Sequence, residues 1–168
     1  MSEPEYDPFS QVYNALWKLV ERNQRLSRYI PAGNRIKYEE AFEQKTQISD
    51  ADTPELALLS GGGTFGDRDT NTGRTCSRDY IWALTTGNLQ LNKLFNPIQF
   101  ELFRSLSDWQ CVLCELQWCN CRFVHNLHIV SAEDGTLMAD LNRNIPGWSS
   151  LWTVRIEFQF SFANLKII

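Results

Sequence analysis

The stretch from Leu151 to Phe162 constrains this chain more than any other. Trp152, Val154, Ile156, Phe158, Phe160 and Phe162 alternate with Thr153, Arg155, Glu157, Gln159 and Ser161. A period of two held that long predicts a strand with one buried face and one wet face. Burying each such side chain contributes about 1.5–3 kcal/mol, so six of them on one side demand a broad apolar cover. The other elements read as this strand's neighbours or its lid.

Two helical patterns supply the lid. Asp7-Pro8 is a helix start, with Asp as a cap and Pro where no amide is needed. Phe9, Val12, Leu16, Leu19, Val20 and Ile30 then recur at helical spacing, while Lys18, Glu21, Arg22, Arg25 and Arg28 fall off that stripe. The pattern predicts a helix from Pro8 to about Tyr29, stopped before Pro31 and Gly33. Asn96-Pro97 repeats the start, and Ile98, Leu102, Leu106, Trp109 and Leu113 form the stripe of a second helix, Pro97 to Leu113, widened by Phe103 and Val112. Phe100 lies off that stripe and is a candidate to face a neighbour.

Strands are predicted at Glu55 to Leu59, at Tyr80 to Thr86 (covered on both faces), and at Arg122 to Val130, the last ending in a turn at Ala132-Glu133-Asp134-Gly135. Asn34 to Gln47 suits strand or helix. Ser60 to Asp79 has five glycines, many Asp, Asn, Thr and Arg, and almost nothing apolar except Phe65. That composition predicts a long polar loop, of the kind that is mobile or functional in a compact domain. The order of elements predicts an α+β fold: a mainly antiparallel β-sheet with two amphipathic α-helices packed on one face, plus that loop at about 60–79. With 168 residues, no internal repeat and no linker, one domain over 1–168 is expected.

Net charge −4 and sequence pI near 5.2 give no general attraction to a nucleic-acid backbone. No apolar run has membrane-spanning length. The acidic start, Met1-Ser2-Glu3-Pro4-Glu5, predicts no signal peptide, so the five cysteines are expected as thiols in a reducing compartment.

Few residues carry a chemical motif. Cys111, Cys114, Cys119 and Cys121 offer four thiolates for a tetrahedral zinc site, but the arm between the pairs is short for one, and small apolar packing is the competing reading. A small zinc-binding interaction module stays open on that cluster. Gly61-Gly62-Gly63-Thr64 lacks the Gly-Lys-Ser/Thr ending of a phosphate loop and reads as flexible chain. Arg68, Arg74 and Arg78 are balanced by Asp67, Asp69 and Asp79. His125 and His128 would point to opposite faces of a strand. No nucleophile elbow is present. No catalytic residue, metal ligand or cofactor is assigned, and the chain is expected not to be an enzyme.

Several stretches together resemble the tail terminator (tail completion) proteins of long-tailed bacteriophages, including lambda-like minor tail proteins. They are the helix opening at Asp7-Pro8-Phe9, the strand Tyr80-Ile81-Trp82-Ala83-Leu84, and Phe103-Arg104-Ser105-Leu106 within the second helix. The close is Asn144-Ile145-Pro146-Gly147-Trp148 leading into Leu151-Trp152-Thr153-Val154-Arg155-Ile156-Glu157-Phe158. The resemblance spans most of the chain in element order; the cysteine cluster falls outside the family's pattern.

The resemblance implies a virion protein of the tail or neck, assembled in the host cytoplasm. It would form a homo-oligomer, a hexameric ring, on the last ring of tail tube protein. There it would end polymerisation and meet the head–tail connector or stopper protein. A neck or stopper protein is the neighbouring alternative. No membrane and no sequence-specific nucleic acid enter that role. The expected subunit or tube interface is Gly62, Thr64, Phe65, Arg68, Arg74, Phe100 and Trp148. On this reading residues 62–74 could be deleted without unfolding the monomer.

Overall fold

A computed structural model of the protein describes residues 8–37, 54–70, 73–86, 94–107, 124–137 and 147–165. In chain order these form α1 (Pro8–Arg22), a short α2 (Leu26–Tyr29), a 3-10 turn, β1 (Arg35–Lys37), β2 (Glu55–Thr70), β3 (Gly73–Thr86), α3 (Asn96–Ser107), β4 (Val124–Leu137) and β5 (Gly147–Ser161), then a closing 3-10 turn. The sheet order is β1-β2-β3-β5-β4. Four strands pair antiparallel, and β1 adds to β2 in parallel over Leu56–Leu58. The fold is the expected α+β arrangement.

The alternation of β5 works as its pattern predicts. Trp152, Val154, Ile156, Phe158 and Phe160 are buried, and their partners lie in register on β3 and β2: Trp152 opposite Trp82, Trp82 opposite Leu58. Phe162 departs from the pattern, because the strand ends at Ser161 and Phe162 starts the closing turn, exposed.

Helices α1 and α3 lid this face. Val12, Leu16, Leu19 and Val20 of α1, and Ile98, Leu102 and Leu106 of α3, join the same buried cluster as Trp82 and Ile156. Polar ties fix α1 on the sheet. The Tyr13 hydroxyl donates to the Leu58 carbonyl at 2.8 Å, and the Tyr80 hydroxyl donates to the Phe9 carbonyl at 2.9 Å. At the other end of the sheet, Ser150 Oγ accepts from Gln99 on α3 at 3.0 Å and from the Trp152 indole at 2.9 Å.

The first helix is not continuous to Tyr29. It stops at Arg22, and Asn23 turns the chain by accepting from the Arg25 and Leu26 amides, both at 3.1 Å. Its carboxamide NH₂ faces Ser105 Oγ at 2.9 Å and two Glu101 oxygens at 3.1 Å. Asparagine competes with a helix for backbone groups, and here the competition wins because both ends of the side chain are used. An Asn23→Ala chain strands those amides and the half-buried polar cluster, and it should lose about 1–3 kcal/mol. Its urea midpoint reads this, and an unchanged midpoint would remove Asn23 as the cause of the break.

Three further expectations are corrected. Residues 60–70 and 73–79 are strand rather than loop: β2 and β3 pair antiparallel along them. Their few apolar groups do not matter, because backbone pairing of β3 to β5, unbroken from Gly73–Ser161 to Thr86–Trp148, orders the chain. The Asp134-Gly135 turn is also absent; β4 runs on to Leu137, with Asp134 opposite Ser150. Ile81, Ala83 and Thr85 are only half-covered, so β3 has one buried face rather than two.

Register shifts sit on the flanking strands. β2 carries one extra residue between Ser60 and Gly63, and β4 carries one between Val124 and Asn126 and another between Ile129 and Ser131. An extra residue reverses which face the following side chains take. After Ser60 on the helix side, it is therefore Gly63 and Phe65, opposite Arg78 and Cys76, that return to that side.

Candidate interaction surface

The expected interface residues separate into two groups. Gly62, Thr64, Phe65, Arg68 and Arg74 lie on the distal half of the β2–β3 hairpin, while Phe100 on α3 and Trp148 on β5 lie toward the opposite end of the sheet. Ser150 and Phe160 mark these ends, about 33 Å apart at the rise of an antiparallel strand. Arg68 and Trp148 have their backbones in strands, and their side chains lie outside the described residues.

At the hairpin end, the bulge at Gly61-Gly62 brings Phe65 onto the helix side. There it meets the edge of Phe9, with ring centroids 6.2 Å apart and planes at 83°. Phe9 in turn sits edge-on to Phe158 at 5.1 Å, and the Arg78 guanidinium covers Phe9 at 4.6 Å. Phe65 is thus held by the last aromatic of the core, yet remains 64% exposed. Thr64 faces the other way and bonds Ser77 Oγ at 2.6 Å. Arg74 is exposed opposite Phe160 and Asp69. A Cβ at Gly63 would overlap the Ser77 carbonyl oxygen, so the strands approach there as closely as only glycine allows.

The arginines are not balanced as their spacing suggests. Asp79 serves Arg155 on β5, accepting two bonds at 2.8 and 3.1 Å, and this hydrogen bonding pushes the Arg155 pKa up. Cys76 lies beneath the aromatic cluster; burial raises its thiol pKa, and the Arg78 charge pulls the other way.

At the other end, Phe100 is 56% exposed under the Arg104 guanidinium, 5.1 Å from the ring. Phe103, expected on the buried stripe, is also exposed, its ring 6.4 Å from that of Trp152. The helix meets the sheet through Ile98, Leu102 and Leu106, which puts Phe103 beside the seam rather than in it.

Sequence reasoning missed one cluster. Arg22, Arg25 and Arg28, read as a wet helix face, are joined by Arg104 around an open groove of about 590 Å³. The spacing 22, 25, 28 was the available signal; the arrival of Arg104 required the fold. Buried Glu101 lies in the floor, 3.9 Å from Arg25 and 3.8 Å from Arg104.

Among the described residues no three His, Cys, Asp or Glu side chains gather as metal ligands would. Cys111, Cys114, Cys119 and Cys121 lie outside those residues. His128 is exposed, 3.6 Å from Glu157. Among the described residues no helix is long and apolar enough to cross a membrane.

No protein-family model and no curated protein sequence matches the chain. A solved structure does: a chain of the virion of a native gene transfer agent (GTA) particle. It superposes with a TM-score of 0.54 at 9% identity, over 93% of this chain and 100% of that one. At that identity the likeness is one of fold.

Proposed function

We propose that this chain is a structural virion protein of the tail-terminator type. It assembles as a homo-oligomeric ring on the end of a tail tube, stops tube growth and offers the far side to a head–tail connector. The observation that carries the reading is the pair of unlike exposed surfaces at opposite ends of one stiff sheet. Phe65 and the hairpin mark one, and Phe100, Phe103 and Arg104 mark the other. A subunit that meets a tube on one side and ends the series must present two different surfaces. Head-to-tail contacts between such subunits close into a ring when the rotation permits. Exposed aromatics beside arginine are the residue types that anchor protein contacts. The virion particle that shares the fold supports the setting.

Residues 63–70 pair with β3, and Gly73 and Arg74 pair with β5, so deleting 62–74 removes paired strand along with the exposed surface and does not isolate the role. A Phe65→Ser chain does. Phe65 is exposed, so stability should change by less than about 1 kcal/mol. Tube protein polymerised with the wild-type chain should give short capped tubes in electron micrographs; Phe65→Ser should give long ones. Tubes that grow to full length despite the wild-type chain would sink the proposal.

A further inference from the structure

Of the arginine groove, only Arg104 enters the reading above. Among the described residues its lining carries four guanidinium groups, from Arg22, Arg25, Arg28 and Arg104, against the one carboxylate of Glu101, and Arg22 already has a contact within the molecule. These are four of only 16 lysines and arginines in a chain of net charge −4. Arg25 and Arg104 are 62% and 48% exposed, and Glu101 stands too far from either for a short bond. Each guanidinium has five N–H donors, so most donors of these two remain available. Phe100 lies beneath Arg104 at the edge of the groove on α3. The surface therefore suits a segment that alternates carboxylates with an aromatic ring.

The chain contains one. Glu3-Pro4-Glu5-Tyr6-Asp7 places acids on both sides of Tyr6, immediately before α1. It cannot fill the groove of its own molecule. The groove lies at the C-terminal end of α1, and 15 residues of helix span about 22 Å. Glu5 is three residues from Pro8, a reach of about 10 Å. We infer that the segment Glu3–Asp7 of one copy docks in the arginine groove of the next, its carboxylates on Arg25, Arg28 and Arg104 and Tyr6 against Phe100. This deepens the ring-forming reading, on which its purpose rests, by supplying a head-to-tail contact. Carboxylate–guanidinium pairs give it register and are strongest when bidentate.

The test uses a fluorescent peptide of residues 1–9 and, as receptor, the full chain carrying Glu3→Lys and Glu5→Lys, whose own segment no longer competes. The peptide should bind saturably. Arg25→Glu and Arg28→Glu, both exposed and checked for folding by circular dichroism, should each weaken it about tenfold or more. Raising salt from about 50 to about 300 mM should weaken it as well. In the full chain, Arg25→Glu with Arg28→Glu should lower the solution mass, and adding Glu3→Lys with Glu5→Lys should restore it. Absent peptide binding, or binding indifferent to the arginine reversals, overturns the inference. So does an oligothymidylate that displaces the peptide better than a hexaglutamate of equal charge, since the groove then selects phosphate. Capping lost with peptide binding intact counts against the ring reading alone; peptide binding lost with capping intact counts against this contact alone.

Discussion

A Trp82→Ala chain will lose about 3–5 kcal/mol of folding stability. Trp82 is fully buried on the central strand and is among the largest such side chains. It stacks on Trp17 of α1, ring centroids 6.0 Å apart and planes at 16°, and pairs across the sheet with Leu58 and Trp152. One truncation thus opens a cavity that touches the helix layer and three strands. A domain of this size shifts its melting temperature by about 2–4 °C per kcal/mol, so a drop of roughly 10–15 °C is expected. Trp82→Phe should cost far less. It keeps an aromatic ring and removes an indole N–H that is buried without a hydrogen-bond partner. Equal losses for the two variants would show that the site tolerates collapse and that the stack does not organise the core.

Gly63→Val will unpair the outer half of the hairpin while leaving the core folded. Its Cβ would meet the Ser77 carbonyl oxygen, with Arg78 Cγ at 3.2 Å and Arg78 Cα at 3.3 Å behind it. The obstruction is mostly backbone, so no rotamer change relieves it. Overpacking of this kind costs about 1–3 kcal/mol. Hydrogen exchange should locate the damage. Amides of Thr64 and Phe65 lose protection, while those of Trp82 and Ile156 on the inner strands keep theirs. The Phe65–Phe9 contact goes with the pairing, so on the proposed role tube capping should fail, as expected for Phe65→Ser. Native protection at Thr64 in the valine chain would mean that the strands can separate slightly without cost.

The parts of the fold legible in the sequence are those where a side chain's environment follows from its own spacing. Trp152 to Phe160, Val12 to Val20, and Ile98, Leu102 and Leu106 all bury as their periods require. The hairpin was illegible because hydrophobic patterning asks what a segment can bury. Residues 61–70 are ordered instead by ladder bonds to β3, and Gly73 to Asp79 by bonds to β5, which lies far away in the chain. The face taken by Phe65 was illegible for a second reason: a one-residue bulge reverses parity, and nothing but Gly61-Gly62 announces it. On α3, Phe100 lies off the apolar stripe and is exposed, whereas Phe103 sits at the margin of the apolar arc, where a small helix rotation decides burial. The arginine groove gathers residues from three helical segments, and no local window contains it.

The kinks on β2 and β4 have a consequence for how the molecule behaves in a crowd. A chain with so many long, aromatic, β-branched strands invites fibre growth, in which an outer strand templates the next molecule's. Here the straight ladder is confined to the middle of the sheet, and the β4 edge and the part of β2 beyond its short pairing with β1 are both interrupted. Copies are therefore steered away from endless edge-to-edge stacking.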